Sequence, residues 1–187
     1  MAVRNARQLL RLVNNLLDFS QIEMRGRQAL VAPADLGVLT ADVASAFRSA
    51  IEAAGLQFQI DIEPGLPLVP VNNFMWEQVV PNLLSNAFKF TFEGSISVRL
   101  KTLGQHAELV VADTGIGIPV DKQPNVFKRF HRVRGARART AERSGIGLAM
   151  VQDLVKRMGG QLTMRSQEGR GSAFTIWMPL NAQPTPS

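Results

Sequence analysis

The chain has no cysteine in its 187 residues. That excludes disulfides and thiolate metal sites and fits a reducing compartment. Histidine is almost as scarce: His106 and His131 stand far apart, so a histidine-rich zinc site is not expected. No uncharged apolar run approaches the ~20 residues that span a bilayer, and no signal peptide heads the chain. The expectation is a soluble, cytoplasmic piece of a parent that is either membrane-anchored or cytosolic. Two common phosphate-binding signatures are missing as well. There is no GxxxxGK[ST] loop, and Met150 fills the slot where a dinucleotide fingerprint needs its third glycine.

What is present is an ordinary globular composition, 45% hydrophobic and 19% charged, which argues against disorder. The length suits one sizeable domain with a small appendage. The net charge of +6 is local: residues 128–143, KRFHRVRGARARTAER, hold seven Lys or Arg and one Glu. The rest of the chain is balanced, so a distributed nucleic-acid face is not expected, and aromatic interleaving stops at Phe130. One basic loop on a neutral domain suits a particular anion such as a polyphosphate; a solvated Arg-rich loop is the plain alternative.

Hydrophobic spacing predicts a helix over 3–24 (Leu9, Leu12, Val13, Leu16, Leu17, Phe19, Ile22), with a stripe wide enough to pack on a second helix or chain. An extended piece broken at Pro33 follows. Next come an amphipathic helix over 36–54, a strand over 56–62, and a helix over 73–90. Two antiparallel strands, SISVRLKTL and AELVVADT, meet at Gly104–Gln105. A short VFKRF helix, the basic loop, and a helix over 146–158 stopped by Gly159–Gly160 come next. Strands QLTMRSQ and SAFTIWM then turn at EGRG, and NAQPTPS ends the chain as a disordered tail. The expected fold is α+β, a two-layer sandwich with a mixed, mostly antiparallel sheet.

Three stretches carry chemistry. In NLLSNAFKFT, Asn82, Asn86 and Lys89 recur at i, i+4 and i+7, a polar stripe beside the apolar one of Trp76, Val79, Val80, Leu83, Leu84, Ala87 and Phe88. Neutral amide oxygens suit Mg²⁺ that keeps waters and also touches phosphates. In VVADTGIGIP, Asp113 ends a strand beside Gly115 and Gly117. A carboxylate there can accept from an amine, for example the exocyclic amine of adenine, and would face acceptor to acceptor with guanine. In SGIGLAMV, Gly145 and Gly147 open a helix whose free amides suit phosphate. Taken singly, each also reads as an ordinary half-exposed helix, turn or helix start.

In this order, NLLSNAFKFT, DTGIGIP, VFKRFHRV and SGIGLAMV resemble the N box, first glycine box, F box and second glycine box of sensor histidine kinases. SQEGRGSAFTIWMPL resembles the closing hairpin of that GHKL-type catalytic domain. LLRLVNNLLDFSQIE resembles the second helix of the preceding dimerisation domain. The likeness spans residues 3–180 and divides the chain into 1–27 (end of the dimerisation helix), 28–180 (catalytic ATP-binding domain) and 181–187 (tail).

The resemblance implies Mg²⁺–ATP held between the N-box helix and a lid. Asn86 would be the direct Mg²⁺ ligand, assisted by Asn82, with Lys89 on phosphate oxygens and Arg132 on the terminal phosphate. Phe90, Ile118 and Leu148 would line the nucleotide; Asp113 would take the adenine amine, with Gly115 and Gly117 shaping the pocket. Gly145 and Gly147 would place amides around the phosphates. It also implies two-component signalling: a phosphoacceptor helix of the same or a sister protomer, a response regulator, and a homodimeric full-length protein. Neither histidine has the acceptor's surroundings, so the acceptor is expected outside this sequence. Asn82 stands where gyrase-type relatives carry a water-activating Glu, which implies slow hydrolysis. Several residues depart from the family pattern: Pro81 inside the N-box helix, Lys128 for Glu, Arg143 for a lid Gly, and Asn72–Asn73 for an Asp-led segment. A nucleotide-sensing or serine-kinase module of the same type is the alternative.

Overall fold

A computed structural model describes residues 31–128, 138–139 and 147–181. The helix predicted over 3–24, the tail over 182–187, and Arg132, His131, Arg143 and Gly145 lie outside the described residues.

The described elements are β1 (Ala32–Ala34), α1 (Leu36–Ala53), β2 (Gln57–Ile62), β3 (Val69–Val71), α2 (Asn73–Phe90), β4 (Ser95–Leu103), β5 (His106–Asp113), a 3₁₀ turn (Gln123–Asn125), α3 (Gly147–Arg157), β6 (Gln161–Gln167) and β7 (Gly171–Pro179). The main sheet runs β2-β4-β5-β7-β6. The β2–β4 pair is parallel and the other three are antiparallel. The parallel pair follows from connectivity: α2 carries the chain over the sheet between β2 and β4, a crossover that antiparallel hairpins do not need.

Alternation along β4, β5 and β7 sends Ile96, Val98, Leu100, Leu109, Val111, Phe174, Ile176 and Met178 to one buried face. Against it pack the apolar sides of the three helices, in one continuous core with Trp76, Leu83 and Leu84 of α2 at its centre. The α+β two-layer reading therefore holds, and α2 is the element fixed most firmly. Asn72 caps it, its Oδ1 accepting from Met75 N at 3.1 Å. The asparagine that departs from the family's Asp-led pattern thus does a helix-start job that suits Asn as well as Asp. α2 continues through Pro81, so the proline removes one donor without ending the helix.

Trp76, fully buried, donates from Nε1 to Thr40 Oγ1 at 3.1 Å, and Thr40 is itself fully buried. This bond ties α1 to α2. Thr40→Val keeps the shape and strands the indole N–H, so it should cost about 1–3 kcal/mol in urea unfolding.

Two expectations are corrected. The hydrophobic pattern predicts no strand between β2 and α2 and takes Pro33 as the break in an extended piece. Instead β1 and β3 pair antiparallel, with Pro33 opposite Pro70. A two-stranded ribbon tolerates proline where no donor is needed, so the break signal misleads there. The VFKRF helix is not found over its described part, residues 126–128. The helical turn lies earlier, at Gln123–Asn125, where Pro124 favours a first turn. Phe127 instead packs edge-on against Phe174, ring centroids 6.4 Å apart.

Candidate nucleotide site

The polar stripe of α2 meets the start of α3. A Cβ added to Gly147 would come within 2.9 Å of Asn82 Oδ1 and 3.8 Å of Asn86 Nδ2, so both amides face the first residue of that helix. The Nδ2 of Asn82 is committed to Gln78 O at 2.7 Å, one helical turn back. Its oxygen is therefore the atom left for a ligand. Among the described residues no group of three or more His, Asp or Glu side chains could hold a metal. Two neutral amide oxygens alone would hold Mg²⁺ poorly, but they fit a Mg²⁺ that arrives with phosphate oxygens and keeps its waters. Lys89 lies one turn further along, with Nζ 5.5 Å from the ring centre of Phe90.

The other half of the site is the turn after β5. Asp113 Oδ1 accepts from Gly115 N at 2.8 Å. The backbone of Ser172 and the side chain of Thr91 also bond this carboxylate. Burial still dominates and pushes the Asp113 carboxyl above the usual range, against the lowering effect of these bonds. A buried carboxyl at a strand end, with acceptor capacity left over, is suited to a donor on a ligand, whose approach favours the ionised form.

The two glycines act by different means. Gly117 has φ +65°, a left-handed conformation that side chains disfavour. Gly115 is needed for closeness: a Cβ there would strike Phe90 O and lie 2.8 Å from Asp113 Oδ1. That contact brings the turn onto the end of α2, where Ile116 N donates to Phe90 O at 3.1 Å. Ile118 is fixed by Ser166 Oγ, which accepts from its N–H at 2.8 Å, and by Gln123 Nε2, which donates to its carbonyl at 2.9 Å.

The last turn of α2 thus joins the halves. Asn86 faces α3, and Phe90 and Thr91, roughly 6 Å further along the axis at 1.5 Å per residue, meet the turn that carries Asp113. Asn82, Asn86, Lys89, Phe90, Asp113, Gly115, Gly117, Ile118, Gly147 and Leu148 all fall on this joint or the elements meeting there. A separate cleft between α3 and β6, lined by Gln152, Asp153, Lys156, Gly160, Gln161 and Leu162, includes none of them.

The sequence reading missed Thr91, Ser166, Gln123, Gly171 and Arg139. Thr91 is fully buried, with its Oγ1 2.7 Å from Ala87 O and also within hydrogen-bond reach of the Asp113 carboxylate, so its single proton serves one acceptor at a time. A Thr directly after a helix was a weak local signal for it. Ser166 reaches Ile118 across 48 residues and Gln123 reaches Ser166 across 43, while a Cβ on Gly171 would strike the distant carbonyl of Asp113, so no local spacing marks these contacts.

Residues 73–182 match the family of histidine kinase-, DNA gyrase B-, and HSP90-like ATPases. The chain belongs to this family. Within it the similar proteins are sensor histidine kinases, and the chain is a catalytic ATP-binding domain of that type. It is 33% identical over 181 residues to the sensor histidine kinase TmoS of Ectopseudomonas mendocina, covering 96% of this chain and 18% of TmoS. It is 35% identical over 168 residues to the aerobic respiration control sensor protein ArcB of Escherichia coli K12, covering 87% and 21%. The chain therefore spans about a fifth of these relatives. Full-length ShkA in complex with AMPPNP superposes with a TM-score of 0.77 at 27% identity, covering 94% of this chain and 36% of that one. The mycobacterial sensor histidine kinase MprB superposes at 0.67 and 28% identity, covering 80% and 97%. No helix among the described residues is long and apolar enough to cross a membrane.

Proposed function

We propose that the chain binds Mg²⁺–ATP at the joint of α2, α3 and the glycine turn, and presents the γ-phosphoryl group to a histidine outside this sequence. The observation that carries this reading is the placement of Asn82 and Asn86 against the first residue of α3, with a buried carboxylate fixed in the glycine turn that meets the C-terminal end of the same helix. Asp113 accepts from the adenine amine. Asn86 and the free oxygen of Asn82 hold the metal, and Lys89, with Arg132 of the basic segment, neutralises phosphate oxygens. When bound, Mg²⁺ supplies charge neutralisation along the phosphates. Phosphoryl transfer asks the protein mainly for alignment and positive charge, and these residues supply both.

The chain's own histidines do not serve as acceptor. His106 is exposed at the start of β5, roughly 23 Å along the strand from Asp113 at 3.3 Å per residue. Residues 1–27 then belong to the second dimerisation helix of a homodimeric, cytoplasmic signalling module that passes phosphate to a response regulator. Residues 28–180 form its catalytic domain.

Asn82 cannot act as a base, so water is not activated. Steady ATP hydrolysis should stay far below ~1 s⁻¹, a rate that normally needs an activated nucleophile. Incubation with γ-labelled ATP and a histidine-bearing dimerisation domain added in trans tests the whole reading. Label should appear on the added domain and not on His106 or His131. Binding of ATP without transfer would favour a nucleotide-sensing module instead, and label on serine of an added protein a serine kinase.

A further inference from the structure

The last turn of a helix leaves carbonyls without helical partners. At the end of α2 they are taken up by groups from distant chain. Phe90 O accepts from Ile116 N, and Lys89 O accepts from Arg139 N at 3.0 Å. Arg139 then continues with its side chain. Its Nε donates to Thr91 O at 2.7 Å and its Nη2 to Phe92 O at 3.1 Å. Its guanidinium carbon lies 5.3 Å from the ring centres of both Phe88 and Phe92. One residue thus holds three carbonyls within a four-residue stretch and packs between two rings beside them. A cation is also favoured at a helix C-terminus by the helix dipole.

The residues so gripped are the ones the site depends on. Lys89 is the α2 cation, Phe90 bonds the glycine turn, and Thr91 bonds Asp113. We propose that Arg139 is a positioning residue of the nucleotide site: through its fork and backbone N–H it sets the Lys89–Phe92 turn, and so aligns Lys89 with the phosphates and Thr91 with Asp113. This inference deepens the reading of Mg²⁺–ATP binding and rests on it. Lysine cannot reproduce the fork, because an ammonium is a point donor that lacks the paired, planar N–H geometry bridging two carbonyls.

The test uses the full 187-residue chain and the variants Arg139→Ala and Arg139→Lys. Calorimetry reads the affinity for Mg²⁺–ATP, and circular dichroism checks the fold. Amide hydrogen exchange at Ile116, without nucleotide, reports whether the turn is loosened. Arg139→Ala should weaken Mg²⁺–ATP at least tenfold with the fold retained, and Ile116 should exchange faster than in the parent chain. Arg139→Lys, which keeps the charge and the backbone bond, should fall between the two. Unchanged ATP affinity in Arg139→Ala overturns the proposal, since a purely structural role would move only the unfolding midpoint. If Arg139→Ala does not fold, wild-type affinity in Arg139→Lys overturns the fork. Failure of the parent chain to bind ATP refutes the nucleotide reading itself. The exchange at Ile116 then decides the pin alone: faster exchange upholds it and unchanged exchange overturns it.

Discussion

Asp113→Ala should reduce calorimetric binding of Mg²⁺–ATP by roughly 10- to 100-fold, the loss of a hydrogen bond to a charged acceptor at about 1.5–3 kcal/mol. Mg²⁺–GTP should bind weakly to the parent chain, because guanine places a carbonyl where Asp113 needs a donor. Asp113→Asn separates function from stability. Burial raises the Asp113 pKa in the fold, so its ionised form destabilises the unliganded chain. That cost is absent below the unfolded value of 3.8 and grows as pH rises through the raised folded value. The neutral Asn variant should therefore melt higher than the parent at neutral pH, with the gap closing as pH falls into the carboxylate range. Nucleotide binding has the opposite sign: the ionised acceptor is the form that binds, so affinity in the parent should fall as Asp113 is protonated. An Asp113→Ala variant that binds ATP as well as the parent would remove Asp113 from the adenine site.

How far the sequence spoke depended on the range of each interaction. The α2 helix was legible to its ends, Asn73 to Phe90, because its apolar spacing, its cap at Asn72 and the strand start beyond it are all local. Strands β4 to β7 were legible for the same reason, since alternation on a sheet with one buried face is a local pattern. The β1–β3 ribbon was not, because two prolines placed opposite each other are harmless only once the pairing is known. In the site, the spacing of Asn82, Asn86 and Lys89 and the Asp113 turn could be read directly. That Asn82 spends its amide N–H on Gln78, leaving the oxygen, could not. Nor could Arg139 be singled out among the seven basic residues of its segment, since its partners lie 47 or more residues away.

Two glycines of the site should respond to alanine in opposite ways, and the contrast tests which of them is structural. Gly117 holds φ +65°, and a Cβ there would run into the backbone carbonyl of Gln167. That carbonyl cannot step aside cheaply. Gln167 is paired with Gly171 at the end of the β6–β7 hairpin, and Gly169 N donates to Ile116 O at 2.7 Å beside it. The left-handed conformation costs an alanine about 1–2 kcal/mol and the backbone overlap about 1–3 more. At 2–4 °C per kcal/mol for a chain of this size, Gly117→Ala should lower the melting temperature by about 10 °C. Gly147 is different: it opens α3 in a helical conformation, and its Cβ would meet only the end of a side chain, Asn82 Oδ1 at 2.9 Å. Alanine is the better helix former, so Gly147→Ala should leave the melting temperature within about 2 °C of the parent. On the proposed reading it should nonetheless weaken Mg²⁺–ATP by roughly tenfold, because the displaced atom is the amide oxygen that would be offered to the metal. Equal affinity in Gly147→Ala and the parent would mean that the Asn82 oxygen takes no part in holding Mg²⁺.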